Sequence, residues 1–437
     1  MDERIDEREL LKFFTEELKE NLLFYWMKRC LDEKNGGYVN CFSNDGSKLV
    51  STNKYTWSQG RFLWVFSRLA LMEGGLFGKE EKSVFLKYAK SGRDFLMRHV
   101  LLGKDDYRCV FLTDAEGNPL SVSDYEGYDL SISADCFVVM GFSAYARAAK
   151  DEEAFIFAKN LGESVYVRYM SGNYRSLPYP VPPDYLPHAR PMILTNMLCE
   201  LYRAACLYDP EYAGTLSLRI AECRKEVFER FQDSEHLIHE FVYRDGSFAK
   251  NLFGQHINPG HTLEDMWFQM EASDILKDYR YDGDIEKIVL STLEAGWDTE
   301  YKGLLHFVPC DGLNTRYQPE ETAEEPQMKL VLDDWGSKLW WVHSEAMYTT
   351  LKMYFRTGKA EYADWFKKVF EYTYQVFPNP DRSIREWIQI RTREGKPQDK
   401  VVALPVKDPY HIIRNVLLII ELLEERKNSE NGKSDVC

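Results

Sequence analysis

Several familiar catalytic signatures are missing from this chain. It has no Walker A loop and no GxGxxG turn, which argues against a nucleotide-driven enzyme or a dehydrogenase. There is no GxSxG elbow, so an α/β-hydrolase serine is not in prospect. None of the nine cysteines forms a CxxC pair, and no HExxH, His-x-His or EF-hand loop appears. Zinc held by cysteine spacing is therefore not expected, nor is a resident metal or cofactor of any other kind. No apolar run is long enough to span a membrane, and the charged start Met1-Asp2-Glu3-Arg4 does not resemble a signal peptide. Cations are outnumbered, giving a net charge of −15, which disfavours nucleic acid or an anionic membrane surface as a partner. Scattered cysteines in odd number suit reduced thiols and a cytoplasmic location. No Pro/Gly/Ser-rich linker divides the 437 residues. One domain over residues 1–425 is expected, with a disordered tail over 426–437.

What the chain does have is helical periodicity and aromatic rings. Hydrophobic residues make up 44% and aromatic residues 14%, with ten tryptophans. That is enough for a large core, and equally for a sugar pocket in which rings pack on C–H faces. Apolar spacing predicts twelve helices, from Glu7–Cys30 to Pro409–Glu424. Turn-rich connections such as Asn35–Cys41, Arg108–Thr113, Gly303–Val308 and Ile384–Thr392 predict short β-hairpin inserts. The stretch Asp32–Tyr38 is echoed loosely at Asp298–Leu304, which suggests a repeated unit of a helix pair plus a hairpin. Six such units predict an all-α fold, a closed double ring of helices.

Four segments could carry chemistry. In Asn258-Pro259-Gly260-His261-Thr262-Leu263-Glu264, a histidine stands at the mouth of a helix with Glu264 on the same face. Histidine moves protons near neutral pH, and a carboxylate neighbour can fix its tautomer. His411 follows the turn Lys407-Asp408-Pro409-Tyr410 near the other end of the chain. Arg61 follows Trp57-Ser58-Gln59-Gly60 and could hold a developing oxyanion. In Lys338–Met347, Trp341 and Glu345 share one helix face while His343 falls on another. Taken singly, each of these residues also fits a structural role as a helix cap, a salt bridge or core.

Taken jointly, the segments are more specific. The chain resembles the N-acylglucosamine 2-epimerase family over nearly its whole length. Asn35-Gly36-Gly37-Tyr38, Trp57–Arg61, Ser131–Phe137, Arg190–Ile193, Asn258–Glu264, Lys338–Met347 and Tyr410-His411 with Arg414 occur in the family's order. The resemblance implies an (α/α)6 barrel and an isomerase that acts without metal or cofactor. It further implies that His261 and His411 are the general acid/base pair, that Arg61 binds sugar oxygens near C1 and C2, and that Glu264 partners His261. Trp57, Asp135, Trp341, His343 and Glu345 would line the substrate pocket. The expected partner is a monosaccharide, and the resemblance leaves room for a homodimer.

The implied reaction is the interconversion of N-acyl-D-glucosamine and N-acyl-D-mannosamine by proton removal and return at C2. Aldose–ketose isomerisation of the mannose–fructose type and cellobiose 2-epimerisation are the alternatives on the same barrel. A saccharide hydrolase or lyase and a non-catalytic sugar-binding protein are alternatives of another class. Two departures from the family stand out. The cellobiose 2-epimerase branch carries a histidine in the helix that here reads Ile193–Leu198, where this chain has none and His188 lies just upstream. The usual Phe-His-Val-Pro-Arg of the acylglucosamine epimerases reads Tyr410-His411-Ile412-Ile413-Arg414.

Overall fold

A computed structural model describes residues 5–123, 125–310 and 324–430. Six helices, Thr56–Leu71, Ile132–Ala149, Ala189–Tyr208, Pro259–Leu276, Trp340–Thr357 and Tyr410–Glu430, form an inner ring. Each packs on the next, and the last returns to the first. Their sequences are apolar on nearly every face because each is covered on all sides; Ile132–Ala149 is buried almost from end to end. The outer ring comprises residues 7–26, Lys79–His99, Glu152–Ser171, residues 210–231, Asp282–Gly296 and Ala360–Val376. These helices bury a single face, as Phe85, Ala89, Gly92, Phe95 and Leu96 do on Lys79–His99. The result is the (α/α)6 barrel. Two further short helices, Leu252–Gln255 and Pro326–Asp334, lie in its loops.

The closest approach in the inner ring needs glycine. A Cβ on Gly60 would lie 2.5 Å from the backbone of Phe137, and one on Gly141 would lie 2.6 Å from the Gly60 carbonyl. The two helices therefore touch backbone to backbone, which fixes where Arg61 emerges.

The faint sequence echo has a physical basis. Asp32 and Asp298 each close a tight loop after an outer helix, marked by the bridges Leu31↔Tyr38 and Trp297↔Leu304. A buried lysine at the head of the following inner helix then binds that loop. Lys54 Nζ donates to Asp32 (2.8 Å) and the Gly36 carbonyl (2.7 Å), and Lys338 Nζ donates to Asp298 (3.0 Å) and the Lys302 carbonyl (2.7 Å).

Among the described residues, two of the strand pairs are local hairpins, Cys41–Phe42 with Leu49–Ser51 and Leu101–Gly103 with Asp106–Cys109. The other four tie segments far apart in sequence, such as Lys338–Leu339 to Ile390–Arg391 and His256–Ile257 to Val308–Pro309. Each of these four places a strand just before an inner helix, so they brace the barrel end at which those helices begin. No helix among the described residues is long and apolar enough to cross a membrane.

The C-terminal end departs from expectation. Residues 426–430, expected in a disordered tail, continue the last helix, and Arg426 donates to Glu7 at 3.0 Å. That ion pair joins the end of the last helix to the first. Residues 431–437 lie outside the described residues.

Candidate active site

His261 occupies the first turn of its helix. Asn258 caps that turn by accepting from the His261 backbone N–H at 3.2 Å, and Pro259 supplies the fixed φ at the helix start. Gly260 must be glycine here, because a Cβ would meet the Trp341 ring at 2.3 Å. His261 therefore lies against Trp341, ring centroids 5.3 Å apart.

The partner of His261 is not Glu264. Its Nδ1–H donates to Glu240 Oε2 at 2.9 Å, which leaves Nε2 for the pocket on a side chain 30% exposed. Glu240 is buried, and its other oxygen lies 3.6 Å from His188 Nδ1. His188 Nε2 in turn meets Asp265 at 2.8 Å, and Asp265 accepts from Gln269 at 2.8 Å. Burial works against the charged form of Glu240, but the two histidines outweigh it and hold the carboxyl far below its usual range. Burial likewise opposes the His261 imidazolium, and Glu240 more than offsets it, so the His261 pKa is raised. His188, between two carboxylates, is pushed up to about 9 against its own burial.

His411 is built differently. Its Nδ1–H donates to Glu345 Oε1 at 2.7 Å, so Nε2 carries the lone pair, and Arg61 Nη2 approaches that nitrogen at 3.2 Å. The Glu345 charge is already matched. Arg414 donates to Glu345 Oε1 and to Glu264 Oε1, both at 2.5 Å, and Trp267 Nε1–H donates to Glu345 Oε2 at 2.8 Å. Burial pushes the His411 pKa down to about 3. Glu264 opposes that shift, and the Arg61 and Arg414 cations reinforce it. Glu264, Glu345 and His411 could in principle hold a metal, but the guanidinium of Arg414 stands between the two carboxylates as their cation.

Arg61 is boxed by Phe137, Tyr410 and Trp57, whose ring centroids lie 4.1, 4.9 and 5.1 Å from its guanidinium carbon, and Asp408 lies 3.3 Å from Nη1. Trp341 ties the halves of the site together. Its ring lies 5.3 Å from that of His261, 5.7 Å from His411 and 6.0 Å from a further buried histidine, His306. His306 Nδ1 meets Asp334 at 2.9 Å.

The structure thus brings His261, His411, Arg61, Trp57 and Trp341 together. It assigns three other expected residues elsewhere. Asp135 is buried and bound by Arg168 of an outer helix at 2.6 Å. His343 donates to the Leu339 carbonyl (2.7 Å), accepts from the Leu304 N–H (3.0 Å) and stacks on Tyr372 of the outer ring, so it fastens the two layers. Glu345 is buried beneath His411, where it accepts from His411 Nδ1–H, Arg414 and Trp267 Nε1–H.

Sequence reasoning missed Glu240 and gave Arg414 and Asp408 no role, although both lie in the segment around His411. Asp408 and Arg414 sit three residues either side of His411, a spacing that could have flagged them. Glu240 lies 21 residues before His261 in a separate loop, just ahead of the strand Phe241–Tyr243, and no local pattern marks it. A cavity of about 670 Å³ opens at the far end of the barrel, lined by Arg68, Arg203, Glu271 and Lys352 among others. It shares Trp267, Tyr410 and Arg414 with the underside of the His411 site.

Residues 37–415 match the family described as N-acylglucosamine 2-epimerase (GlcNAc 2-epimerase). N-acylglucosamine 2-epimerases of Bos taurus and Homo sapiens are each 28% identical to the chain, covering 95% of it and 93% and 92% of their own lengths. Among solved structures, the cellobiose 2-epimerase of Bacillus thermoamylovorans B4167 superposes with a TM-score of 0.76 at 19% identity, covering 95% of this chain and all of that one.

Proposed function

The chain belongs to the N-acylglucosamine 2-epimerase family, a family of carbohydrate epimerases and hence isomerases, and on that premise we propose that it interconverts N-acyl-D-glucosamine and N-acyl-D-mannosamine. The observation that carries this reading is a pair of histidines packed on one indole, one with its pKa raised and the other with its pKa lowered. Epimerisation at C2 needs that asymmetry. The open-chain aldehyde acidifies the C2 hydrogen, and neutral His411 removes it through Nε2. The electron pair flows into the carbonyl to give an enediolate, whose oxygen Arg61 stabilises. His261, as imidazolium, returns a proton to the opposite face of C2. The cycle leaves His411 protonated and His261 neutral, which is the state required for the reverse direction. Solvent then takes the proton from His411 and supplies one to His261, which resets the site for another forward turnover. Trp341 and Trp57 supply flat apolar faces for the sugar chain.

An aldose–ketose isomerase would share the first step and return the proton to C1, for which one histidine suffices. The second, opposed histidine favours epimerisation. A cytoplasmic location fits the odd, scattered cysteines, and residues 1–425 are read as one catalytic unit. The test is NMR in D₂O with N-acetylglucosamine, N-acetylmannosamine, mannose, glucose and cellobiose. Deuterium at C2 with inversion of an N-acyl sugar is expected. Ketose formation from mannose with no C2 inversion of any sugar would replace this reading with the isomerase.

A further inference from the structure

Outside the sugar site, three side chains that no spacing motif links converge in the loops above the barrel. Asp233 follows an outer helix, His239 precedes the strand Phe241–Tyr243, and Cys310 ends the strand Val308–Pro309. One ligand atom from each lies within 4.8 Å of the others. We propose that Asp233, His239 and Cys310 form a site for a divalent transition-metal ion, with Zn²⁺ the best match to one oxygen, one nitrogen and one sulfur ligand.

The argument rests on donors and acceptors. His239 is buried, and its Nδ1 lies 2.6 Å from the Gly254 carbonyl, which can only accept. Nδ1 therefore carries a hydrogen, and Nε2 faces Asp233 Oδ2, another acceptor, 2.9 Å away. That contact needs a cation, which is either the second ring proton of an imidazolium or a metal ion that takes its place. The Cys310 sulfur lies beside the ring, 3.7 Å from Nε2 and 3.8 Å from Nδ1. A ring N–H donated to a backbone carbonyl is also the arrangement that orients a metal-bound histidine.

All three ligands are held by their backbones. Asp233 Oδ1 accepts from the Glu235 and Leu237 N–H groups, both at 2.9 Å, and the Cys310 N–H donates to the Gln255 carbonyl at 2.7 Å. Thiolate, imidazole and carboxylate together suit Zn²⁺ or Co²⁺ and disfavour Mg²⁺ and Ca²⁺, which take oxygen. Three protein ligands leave a fourth tetrahedral position for water. Asp233 and Cys310 are only partly buried, so an ion has a way in. The ion would staple the loop that carries Glu240, next in sequence to His239, to the ladder that precedes His261. Its role is structural, and no proton step passes through it.

The test uses the intact protein. Metal is stripped by a chelator, and Zn²⁺ is added back against a chromophoric competitor, with Co²⁺ in a parallel sample. One equivalent per chain is expected, with a thiolate-to-Co²⁺ band in the near ultraviolet that disappears in Cys310→Ser. In the wild-type protein, Zn²⁺ should shield Cys310 but not the exposed Cys206 from alkylation, read by peptide mass spectrometry. Absence of stoichiometric uptake, uptake unchanged in Cys310→Ser and Asp233→Asn, or equal alkylation of Cys310 with and without Zn²⁺ would each overturn the site. The last result needs no variant to fold, and none of them depends on epimerase activity.

Discussion

His261 and His411 sit at the same end of one barrel, touch the same indole and each donate Nδ1–H to a buried glutamate, yet they are held in opposite states. The difference lies one shell further out. Behind His261, Glu240 has only histidines to balance it, so its charge falls on His261 and His188. Behind His411, Glu345 is already paired with Arg414, and Arg61 faces the other ring nitrogen, so little negative potential is left to hold a proton there. A carboxylate on Nδ1 fixes the tautomer in both cases. Whether it also makes the ring an acid depends on where the nearest permanent cation sits.

The largest expected effect breaks the pair outright. His261→Ala and His411→Ala should each lower kcat by about 10²–10⁴-fold, the usual worth of a general acid or base, while sugar binding persists. C2 exchange that survives in both variants would remove the two-histidine mechanism.

The next test separates the carboxylates. Glu240→Gln should move the alkaline limb of kcat/KM to lower pH, because His261 loses the opposite charge that holds its proton. Glu264→Gln should move that limb less, since Glu264 acts on His261 only through space, after Glu240, and is bound to Arg414. If the two variants exchange these outcomes, the pairing drawn here is inverted.

A third prediction concerns stability. His188 has a folded pKa of about 9 against 6.5 for the free side chain, so its contribution is complete below pH 6.5 and is lost as pH rises towards 9. The loss should approach roughly 3 kcal/mol, seen as a falling urea midpoint over that window and flattened in His188→Gln. A midpoint that does not change from pH 6.5 to 9 would show that the buried chain Glu240–His188–Asp265 does not hold that proton.

The smallest effect probes the shared wall. Gly260→Ala forces a methyl into Trp341 and should cost about 1–3 kcal/mol, with a rise in KM as the indole shifts. Asp135→Asn is the contrast. It should lower the melting temperature through Arg168 and leave kcat/KM unchanged, and a fall in kcat/KM would return Asp135 to the pocket.

By itself the sequence determined the two rings of helices, because apolar periodicity and turn residues are local properties that each segment states on its own. The first helix starts at Glu7 as its spacing predicts, and the last starts at Tyr410, one residue from the expected Pro409. The sequence determined the two histidines, Arg61 and Trp341 as well, through motifs that lie within single segments. Only the tertiary structure decided which carboxylate serves which histidine. Glu264, one turn from His261 in sequence, turns to Arg414, and Glu240 arrives from another loop. It also decided that Asp135 and His343 face the outer ring, and that a cysteine, a histidine and an aspartate up to 77 residues apart share one corner. Helical periodicity states which residues share a face, but the neighbour opposite that face comes from closing the ring, and the electrostatics of the site follow from that neighbour.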